Sequence, residues 1–258
     1  MLPYIVIAVS SLLVAGLTLF SGFGIGMLLM PVFVIFFPTD VAVAMTAIVH
    51  FSNNVFKVLL VGAKAHWSSV WCFGIPATLA SFVGARMLVG LSELKALYTY
   101  VAMDRTFAVT PVNLTLAVLL ALFALSEIVP RLHRVTFPER YLPLGGVLSG
   151  FFGGLSGHQG ALRSAFLLRT GLSKDVFIST GVIIAFFVDI PRIAVYGTHM
   201  ASADLGQNWP LLLAAVTAAL LGAVLGKLLV KKITIGFIRW SVAILLFIAA
   251  AGLGTGVI

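Results

Sequence analysis

The sequence carries very few charged residues for its length. Of its 258 residues, 9% are charged and 61% are hydrophobic, whereas soluble domains average about 25% and about 45–50%. A soluble fold of this size cannot bury so much apolar surface. The shortage of charge therefore excludes a soluble enzyme, a secreted disulfide scaffold and a disordered chain, and it leaves a polytopic membrane protein.

Cysteine and the motifs of enzymes are also scarce. The single cysteine, Cys72, excludes an intrachain disulfide. The sequence has no P-loop lysine, no metal-ligand cluster and no Ser-His-Asp arrangement, so we expect no enzyme, no cofactor and no metal. The sequence also shows no ATP-binding domain, so any movement of a solute across the membrane would be driven by a gradient or be passive.

Acidic residues are half as frequent as basic ones. The chain has 8 Asp and Glu against 16 Lys and Arg, which gives a formal net charge of +8. In a soluble protein this balance would suggest nucleic acid. In a membrane protein, however, the cytoplasmic loops carry an excess of Lys and Arg. We therefore expect no nucleic-acid partner, and we expect the cations to indicate the orientation of the spans.

Apolar segments follow one another along the whole chain, and about 20 apolar residues are needed to cross the hydrocarbon core. The segments are 3–20, 25–37, 41–62, 69–91, 113–130, 142–155, 158–171, 175–196, 209–230 and 234–257. Four are short or broken, because glycine clusters interrupt them at 21–26 and 153–160. A glycine costs about 1 kcal/mol in a helix relative to alanine. Unwound backbone at membrane depth is tolerated only inside protein or beside a water-filled cavity.

The same features recur at an interval of 135 residues. That interval places Ser21-Gly22 on Ser156-Gly157, Asp40 on Asp175, Phe51 on Phe186, Lys57 on Arg192 and Gly62 on Gly197. Each half then has a glycine-broken hairpin, an Asp before a helix and a cation late in that helix. We expect a first transmembrane repeat over 1–130, a cytoplasmic linker over 131–140 and a second transmembrane repeat over 141–258.

The basic residues predict opposite orientations for the two repeats. The linker holds Arg131, Arg134 and Arg140 and is expected in the cytoplasm, whereas the loop 197–208 has no Lys or Arg and is expected outside. Other cations expected inside are Lys64, Arg169, Lys174, Lys227, Lys231 and Lys232. These placements agree with one another if segment 142–171 enters the membrane from the cytoplasm and returns to the cytoplasm as a hairpin. Both termini then lie outside.

The resulting fold class is an all-α polytopic membrane protein with two inverted repeats. Each repeat is a glycine-broken hairpin followed by three transmembrane helices. Inverted repeats are common in secondary transporters, where the substrate site lies near the bilayer midplane. If 142–171 instead crossed the membrane twice, the inversion would be lost.

One predicted helix carries a stripe of polar residues. His50, Asn53, Asn54 and Lys57 share one face of segment 41–62 because of their helical spacing. The stripe has two interpretations, hydrogen bonding to a neighbouring helix or the lining of a substrate site. A cation on the stripe and the broken hairpin before it favour the substrate site.

The equivalent helix carries Asp189 and Arg192, on either side of Pro191. Their spacing allows an internal ion pair. Asp189 is also the one acid well inside a predicted span, which makes it the candidate for coupling to a proton. His50 or His158 could share that role, since histidine titrates near neutral pH.

The second glycine cluster predicts an anion site. A helix that begins after unwound backbone offers free N–H groups and the positive end of its dipole. Ser156, His158 and Gln159 can add donors, and Arg163 lies one turn after Gln159 with a fork that suits a planar carboxylate or the oxygens of a sulfonate. The alternative for Arg163 is an anchor that extends to the cytoplasmic interface. Ser21, Gly22 and Gly24 would supply matching backbone donors from the first cluster.

The two glycine clusters and the polar helix after each of them resemble the sulfite exporter TauE/SafE family of membrane permeases. The resemblance covers essentially the whole chain and rests on residues 21–31 and 148–161. It implies the transport of small sulfur-containing anions such as sulfite and organosulfonates. His158 and Gln159 stand where the family more often has small residues, which suggests a specialised or asymmetric anion site.

The prediction is a secondary transporter that exports a small anion, sulfite or an organosulfonate, by alternating access at a midplane site. Arg192 and Lys57 would help Arg163 to neutralise the anion. An anion- or solute-conducting channel built on opposed re-entrant hairpins is the alternative, and a membrane enzyme or assembly factor using Asp189 and His158 is a third class. The expected partners are the anion, the lipid of a bacterial inner membrane, a coupling proton or sodium ion, and a second copy of the chain.

Overall fold

Helices account for almost all of the regular structure. A computed structural model describes residues 1–21, 24–102, 104–129, 131, 135–200, 205–229 and 234–258. Within these residues lie ten α-helices of eight residues or more: α1 (Leu2–Ser21), α2 (Ile25–Val34), α3 (Thr39–Val61), α4 (Trp67–Ser92), α5 (Pro111–Ile128), α6 (Leu142–Ser156), α7 (Gly160–Leu167), α8 (Lys174–Met200), α9 (Leu205–Leu229) and α10 (Ile235–Thr255).

Each of the ten predicted apolar segments corresponds to one of these helices. The breaks also lie where the glycine clusters predict them, between α1 and α2 and between α6 and α7. Helix α7 is shorter than its predicted segment of 158–171. It passes into a 3-10 turn over Leu168–Thr170, and Gly171 then leaves the helix with a left-handed φ of 64°, a conformation that glycine adopts without strain.

A short β-hairpin joins α4 to α5, and the sequence analysis did not predict it. Strand β1 (Tyr98–Ala102) pairs antiparallel with β2 (Arg105–Val109), and Asp104 occupies the left-handed turn position with a φ of 58°. The strands are rich in aromatic and β-branched residues, which favour extended backbone. Their side chains are mostly exposed, so apolar periodicity gave little indication of a strand.

Several helical segments are long and apolar enough to cross a membrane. Among the described residues they are Thr39–Lys64, Trp67–Ser92, Pro111–Ile128, Lys174–Thr198 and Asn208–Gly226. Shorter apolar helices are Leu2–Thr18, Ile25–Val34 and Arg239–Thr255. This pattern is the one expected of a polytopic membrane protein.

Five helix pairs form most of the helix packing among the described residues. They are α1 with α9, α4 with α6, α4 with α8, α3 with α8, and α5 with α10. Glycines bring α4 and α6 into backbone contact, since a Cβ atom on Gly150 would overlap the carbonyl oxygen of Ala77 and one on Gly154 would overlap that of Ser81. Close approach through small residues is a common way to pack helices in a membrane.

Helices α3 and α8 run antiparallel through the middle of this arrangement. The end of α3 lies beside the start of α8, because Ser179 donates a hydrogen bond to the carbonyl of Val61. Farther along the pair, the rings of Phe51 and Phe186 stack with their centroids 5.4 Å apart. This antiparallel contact positions the polar residues of the two helices against each other.

Candidate functional site

A buried cluster of polar side chains joins α3 to α8. The Asp189 carboxylate lies at its centre and is fully buried. Its Oδ2 atom lies 2.6 Å from Nδ1 of His50 and accepts a hydrogen bond of 2.8 Å from Nδ2 of Asn54. Its Oδ1 atom accepts a hydrogen bond of 3.2 Å from Nη1 of Arg192. Both oxygens of this acid therefore have polar partners inside the helix bundle.

The cluster forms because each helix has two polar residues on one face and these two faces are in contact. His50 and Asn54 are one turn apart on α3, and Asp189 and Arg192 are one turn apart on α8, so each pair shares a face. The antiparallel contact turns these two faces toward each other. An ionised carboxylate between a guanidinium and a histidine has the partners that a buried charge requires.

A cavity of about 50 Å³ lies beside this cluster. At about 10–15 Å³ for each water, it has room for several water molecules or a small anion. His50 borders both the cavity and the cluster. Its Nδ1 faces Asp189, and its Nε2 lies 3.3 Å from the position of a Cβ atom on Gly24. The lining residues are Thr18, Gly24, Ile25, His50, Asn54, Lys57, Arg163, Ser164, Phe177, Ile178, Gly181, Val182 and Ala185.

Among the described residues, two cations and no acidic residue line the cavity. Lys57 is only 7% exposed, and in the part of the chain that the structure describes no hydrogen bond or ion pair joins its ammonium group to another residue. Arg163 reaches the cavity from α7, and its buried Nη1 has no hydrogen-bond partner among the residues that the structure describes. The side chain of Arg163 passes over Gly181, where a Cβ atom would lie 3.2 Å from Nε. The cavity wall thus has an excess of positive charge.

The two breaks in the helices meet beside the cluster. A Cβ atom on Gly26 would lie 3.1 Å from the carbonyl oxygen of Gly157. Gly157 has a φ of 81°, and a Cβ atom there would lie 3.2 Å from Nη2 of Arg192. Glycine is therefore required at 157 for both its conformation and its contact. Gly24 and Ile25, at the start of α2, line the cavity, which brings the positive end of that helix to its wall.

The model of the sulfite exporter TauE/SafE family matches residues 7–253. The chain belongs to this family. The match covers nearly the whole sequence and confirms the resemblance on residues 21–31 and 148–161. The family consists of membrane transporters and is not an enzyme family, in agreement with the expectation that the protein is not an enzyme. A search of curated proteins found no match. The cluster and cavity are therefore features of a multi-pass TauE/SafE transporter.

The structure separates the predicted site residues of this transporter into two groups. His50, Asn54, Lys57, Arg163 and Gly24 line the cavity. The others do not line it: Asn53, Ser156, His158, Gln159, Asp189 and Arg192. Ser21 ends α1, and nothing is described of its side chain, whereas Gly22 lies outside the described residues.

His158 has a different environment from the one predicted. Its ring stacks on Phe123 of α5 with centroids 5.2 Å apart, and Nδ1 donates to the carbonyl oxygen of Ser156 at 2.8 Å. His158 is therefore held at the α6–α7 break by packing and a local hydrogen bond, and Asp189 pairs with His50 instead. The predicted common face of Gln159 and Arg163 also does not bring both to the cavity, because Gln159 is fully buried against Gly153.

Three polar residues at the site of this TauE/SafE transporter were not predicted from the sequence. Thr18 and Ser164 line the cavity, and their small side chains gave no indication of it. Tyr196 donates a hydrogen bond to the carbonyl of Gly154, and the Arg192 guanidinium carbon lies 5.7 Å from the centre of its ring. Its position one turn after Arg192 could have indicated this contact. Within the described residues, no three His, Cys, Asp or Glu side chains form a group that could hold a metal ion.

Proposed function

We propose that this TauE/SafE protein is a secondary transporter that exports a small anion, sulfite or an organosulfonate, by alternating access. The observation that carries the proposal is the cavity between Lys57 and Arg163, because among the described residues its wall has two cations, the buried Lys57 and the partly buried Arg163, and no acid. Burying an uncompensated charge is costly, so a small anion that neutralises these cations is a favourable occupant. Membership of the TauE/SafE family supports an anion whose central atom is sulfur.

The donors around the cavity suit a compact oxyanion. Arg163 offers a planar fork that bonds two oxygens at once, and Lys57 offers a flexible point charge from α3. The start of α2 at Gly24 and Ile25 adds the positive end of a helix. A sulfite or sulfonate group has three oxygens and could accept hydrogen bonds from all three directions.

Several contacts support inverted repeats over 1–130 and 141–258. Asn54 and Asp189 are 135 residues apart and hydrogen-bonded to each other, and Phe51 and Phe186, which stack, have the same separation. The helices that carry these pairs are antiparallel. A two-fold axis in the membrane plane would produce this relation between equivalent helices, and such an axis would pass near these two contacts.

The charges beside the cavity support its orientation toward the cytoplasm. The cavity extends from the α1–α2 break to Phe177, near the start of α8. Lys64 and Lys174 lie at that end of the helix pair, and Lys64 forms an exposed ion pair of 3.1 Å with Asp175. Because cytoplasmic loops carry the excess of Lys and Arg, we propose that this end lies on the cytoplasmic side of a bacterial inner membrane and that both termini lie on the opposite side.

The Asp189 cluster is suited to couple transport to a proton. His50 touches the cavity on one side and the Asp189 carboxylate on the other, so a proton taken up at the carboxylate or the ring changes the charge next to a bound anion. Oxygen atoms are the usual ligands of hard cations, whereas the partners of Asp189 are nitrogen atoms. We therefore favour a proton over sodium as the coupling ion.

The experiment is uptake of radiolabelled sulfite into proteoliposomes. We expect Arg163→Gln to reduce uptake strongly and to raise the KM, because the fork at the cavity is lost. The matched control is Arg169→Gln, which removes an exposed arginine from the same segment and should transport like the wild type. Equal uptake by Arg163→Gln and the wild type would refute the proposed site.

A further inference from the structure

A set of buried polar atoms at the α6–α7 break has no hydrogen-bond partner among the described residues. Arg192 is fully buried, and within the described part of the chain only its Nη1 has a hydrogen-bond partner, whereas Nε and Nη2 have none. His158 Nε2 and both amide atoms of Gln159 are unpartnered as well. Buried polar groups are normally hydrogen-bonded, so donors left over in one place indicate a ligand or a conformation that is not the one described.

These atoms lie on the opposite side of the Asp189 cluster from Lys57. The antiparallel contacts between α3 and α8 run from Lys64–Asp175 at one end, through Val61 and Ser179, to Phe51–Phe186. Lys57 lies on the stretch beside the start of α8. Arg192 lies beyond the Asn54–Asp189 contact, farther along α8, and its guanidinium touches Gly157 at the break.

The interval of 135 residues relates the two sides. Lys57 corresponds to Arg192, and Gly24, at the cavity, corresponds to Gln159. Gly181, which lines the cavity, corresponds to Thr46, whose buried hydroxyl has no hydrogen-bond partner in the described ranges either. The positions that correspond to Lys57, Gly24 and Gly181 of the cavity are therefore all occupied by polar residues.

The two sides differ in how tightly they are closed. Ile178 and Val182 are partly exposed and line the cavity. Their counterparts at the same interval, Val43 and Ala47, are completely buried in the hydrophobic core. The same wall is thus open in one half and packed shut in the other, as alternating access between two inverted repeats requires.

We infer that Arg192 forms a second anion half-site, together with Gln159 at the α6–α7 break, which is closed in this conformation and opens when the cavity at Lys57 closes. The inference rests on the proposed transport function and extends it, because the anion is passed from Lys57 and Arg163 to Arg192 across the Asn54–Asp189 contact. The ligand is the same small oxyanion. Asp189 holds Arg192 through one nitrogen and leaves two donors for the anion.

The test compares two engineered cysteines in membrane vesicles of opposite orientation. The single native cysteine, exposed Cys72, is first replaced by Cys72→Ser. Val182→Cys then reports on the open cavity, and Ala47→Cys reports on its counterpart. Each variant is treated with a membrane-impermeant thiol reagent, with and without methanesulfonate, an organosulfonate that does not consume the reagent.

We expect Val182→Cys to react from the cytoplasmic face and Ala47→Cys to react from the opposite face, both more slowly in methanesulfonate. Adding Gln159→Leu or Arg192→Gln should remove the protection of Ala47→Cys and leave that of Val182→Cys. Gln159→Leu keeps the ion pair intact and so controls for a loss of folding in Arg192→Gln. The inference is overturned if Ala47→Cys never reacts from the opposite face, or if its protection survives both added substitutions. If methanesulfonate protects neither cysteine, the proposed anion transport itself is wrong.

Discussion

Asn54 and Asp189 occupy corresponding positions in the two halves of the chain, and they are hydrogen-bonded to each other at 2.8 Å across 135 residues. One half has an amide at this position and the other an acid. The contact therefore joins equivalent helices, yet it is chemically asymmetric. That asymmetry leaves one ionisable carboxylate at the centre of the bundle, between the cavity cations Lys57 and Arg163 and the buried Arg192.

Removing the lysine of the cavity should weaken anion binding. Lys57→Gln deletes one charge-assisted contact, which contributes about 1.5–3 kcal/mol and corresponds to a roughly ten- to hundredfold rise in Kd. Titration calorimetry of the purified protein with sulfite measures this Kd. Lys64→Gln is the control, because this lysine is exposed and lies outside the cavity. An unchanged Kd in Lys57→Gln would show that the anion binds elsewhere.

The Asp189–Arg192 pair should be strongly coupled in stability. Asp189→Asn or Arg192→Gln alone leaves an uncompensated buried charge, which costs about 3–5 kcal/mol. The double variant removes both charges and should be less destabilised than the sum of the two single variants. Thermal unfolding in detergent measures all three proteins.

The exposed pair of Lys64 and Asp175 is the control for this cycle. Both side chains are more than 60% exposed, at 67% and 69%, so their coupling should be less than about 1 kcal/mol. If the two cycles gave the same small coupling, the Asp189–Arg192 contact would contribute no more than a surface pair.

Substitution of Gly157 should impair transport beyond its effect on stability. Gly157→Ala places a Cβ atom at a left-handed φ, which costs about 1–2 kcal/mol, and also 3.2 Å from Nη2 of Arg192. Gly171→Ala meets the same conformational cost, with a φ of 64° and no atom within 4 Å of its Cβ. We expect similar losses of stability and a loss of sulfite uptake only in Gly157→Ala. Equal uptake by the two variants would mean that the Arg192 contact does not matter for transport.

Neutralising Asp189 should uncouple transport from the proton gradient. In Asp189→Asn the amide oxygen can still accept a bond from Arg192, but the side chain can no longer take up a proton. We expect an imposed pH gradient to stop stimulating uptake, while exchange of labelled for unlabelled sulfite continues. Glu127→Gln is the matched control, because Glu127 is a buried acid near Arg239, 3.9 Å away, and does not line the cavity. Stimulation that persists in Asp189→Asn would place the coupling group elsewhere.

Much of the fold could be predicted because apolar length and glycine clusters are local properties. The ten segments and both breaks follow from them, whereas the β-hairpin at 98–109 was missed because its strands are mostly exposed. Spacing on one helix also placed His50, Asn54 and Lys57 on a common face, and all three line the cavity. Asn53 precedes Asn54 by one residue and does not line the cavity. Its buried amide has no hydrogen-bond partner among the described residues.

The partners across the helices could not be predicted, since they depend on the register of the antiparallel α3–α8 contact. Either His50 or His158 could have met Asp189 on the sequence alone. The register brings His50 to it, and stacking on Phe123 holds His158 away. The convergence of Lys57 and Arg163 on one cavity likewise depends on the path of the chain through the α6–α7 break.

Counterflow in proteoliposomes is the most direct measurement of the central proposal, that a cavity between Lys57 and Arg163 carries an anion by alternating access. Vesicles are loaded with unlabelled sulfite and diluted into a trace of labelled sulfite. A carrier with an alternating site should accumulate label transiently above equilibrium, and Arg163→Gln should abolish the overshoot while Arg169→Gln retains it. Label that enters without an overshoot would indicate a continuous pore, and the alternating-access account would be contradicted.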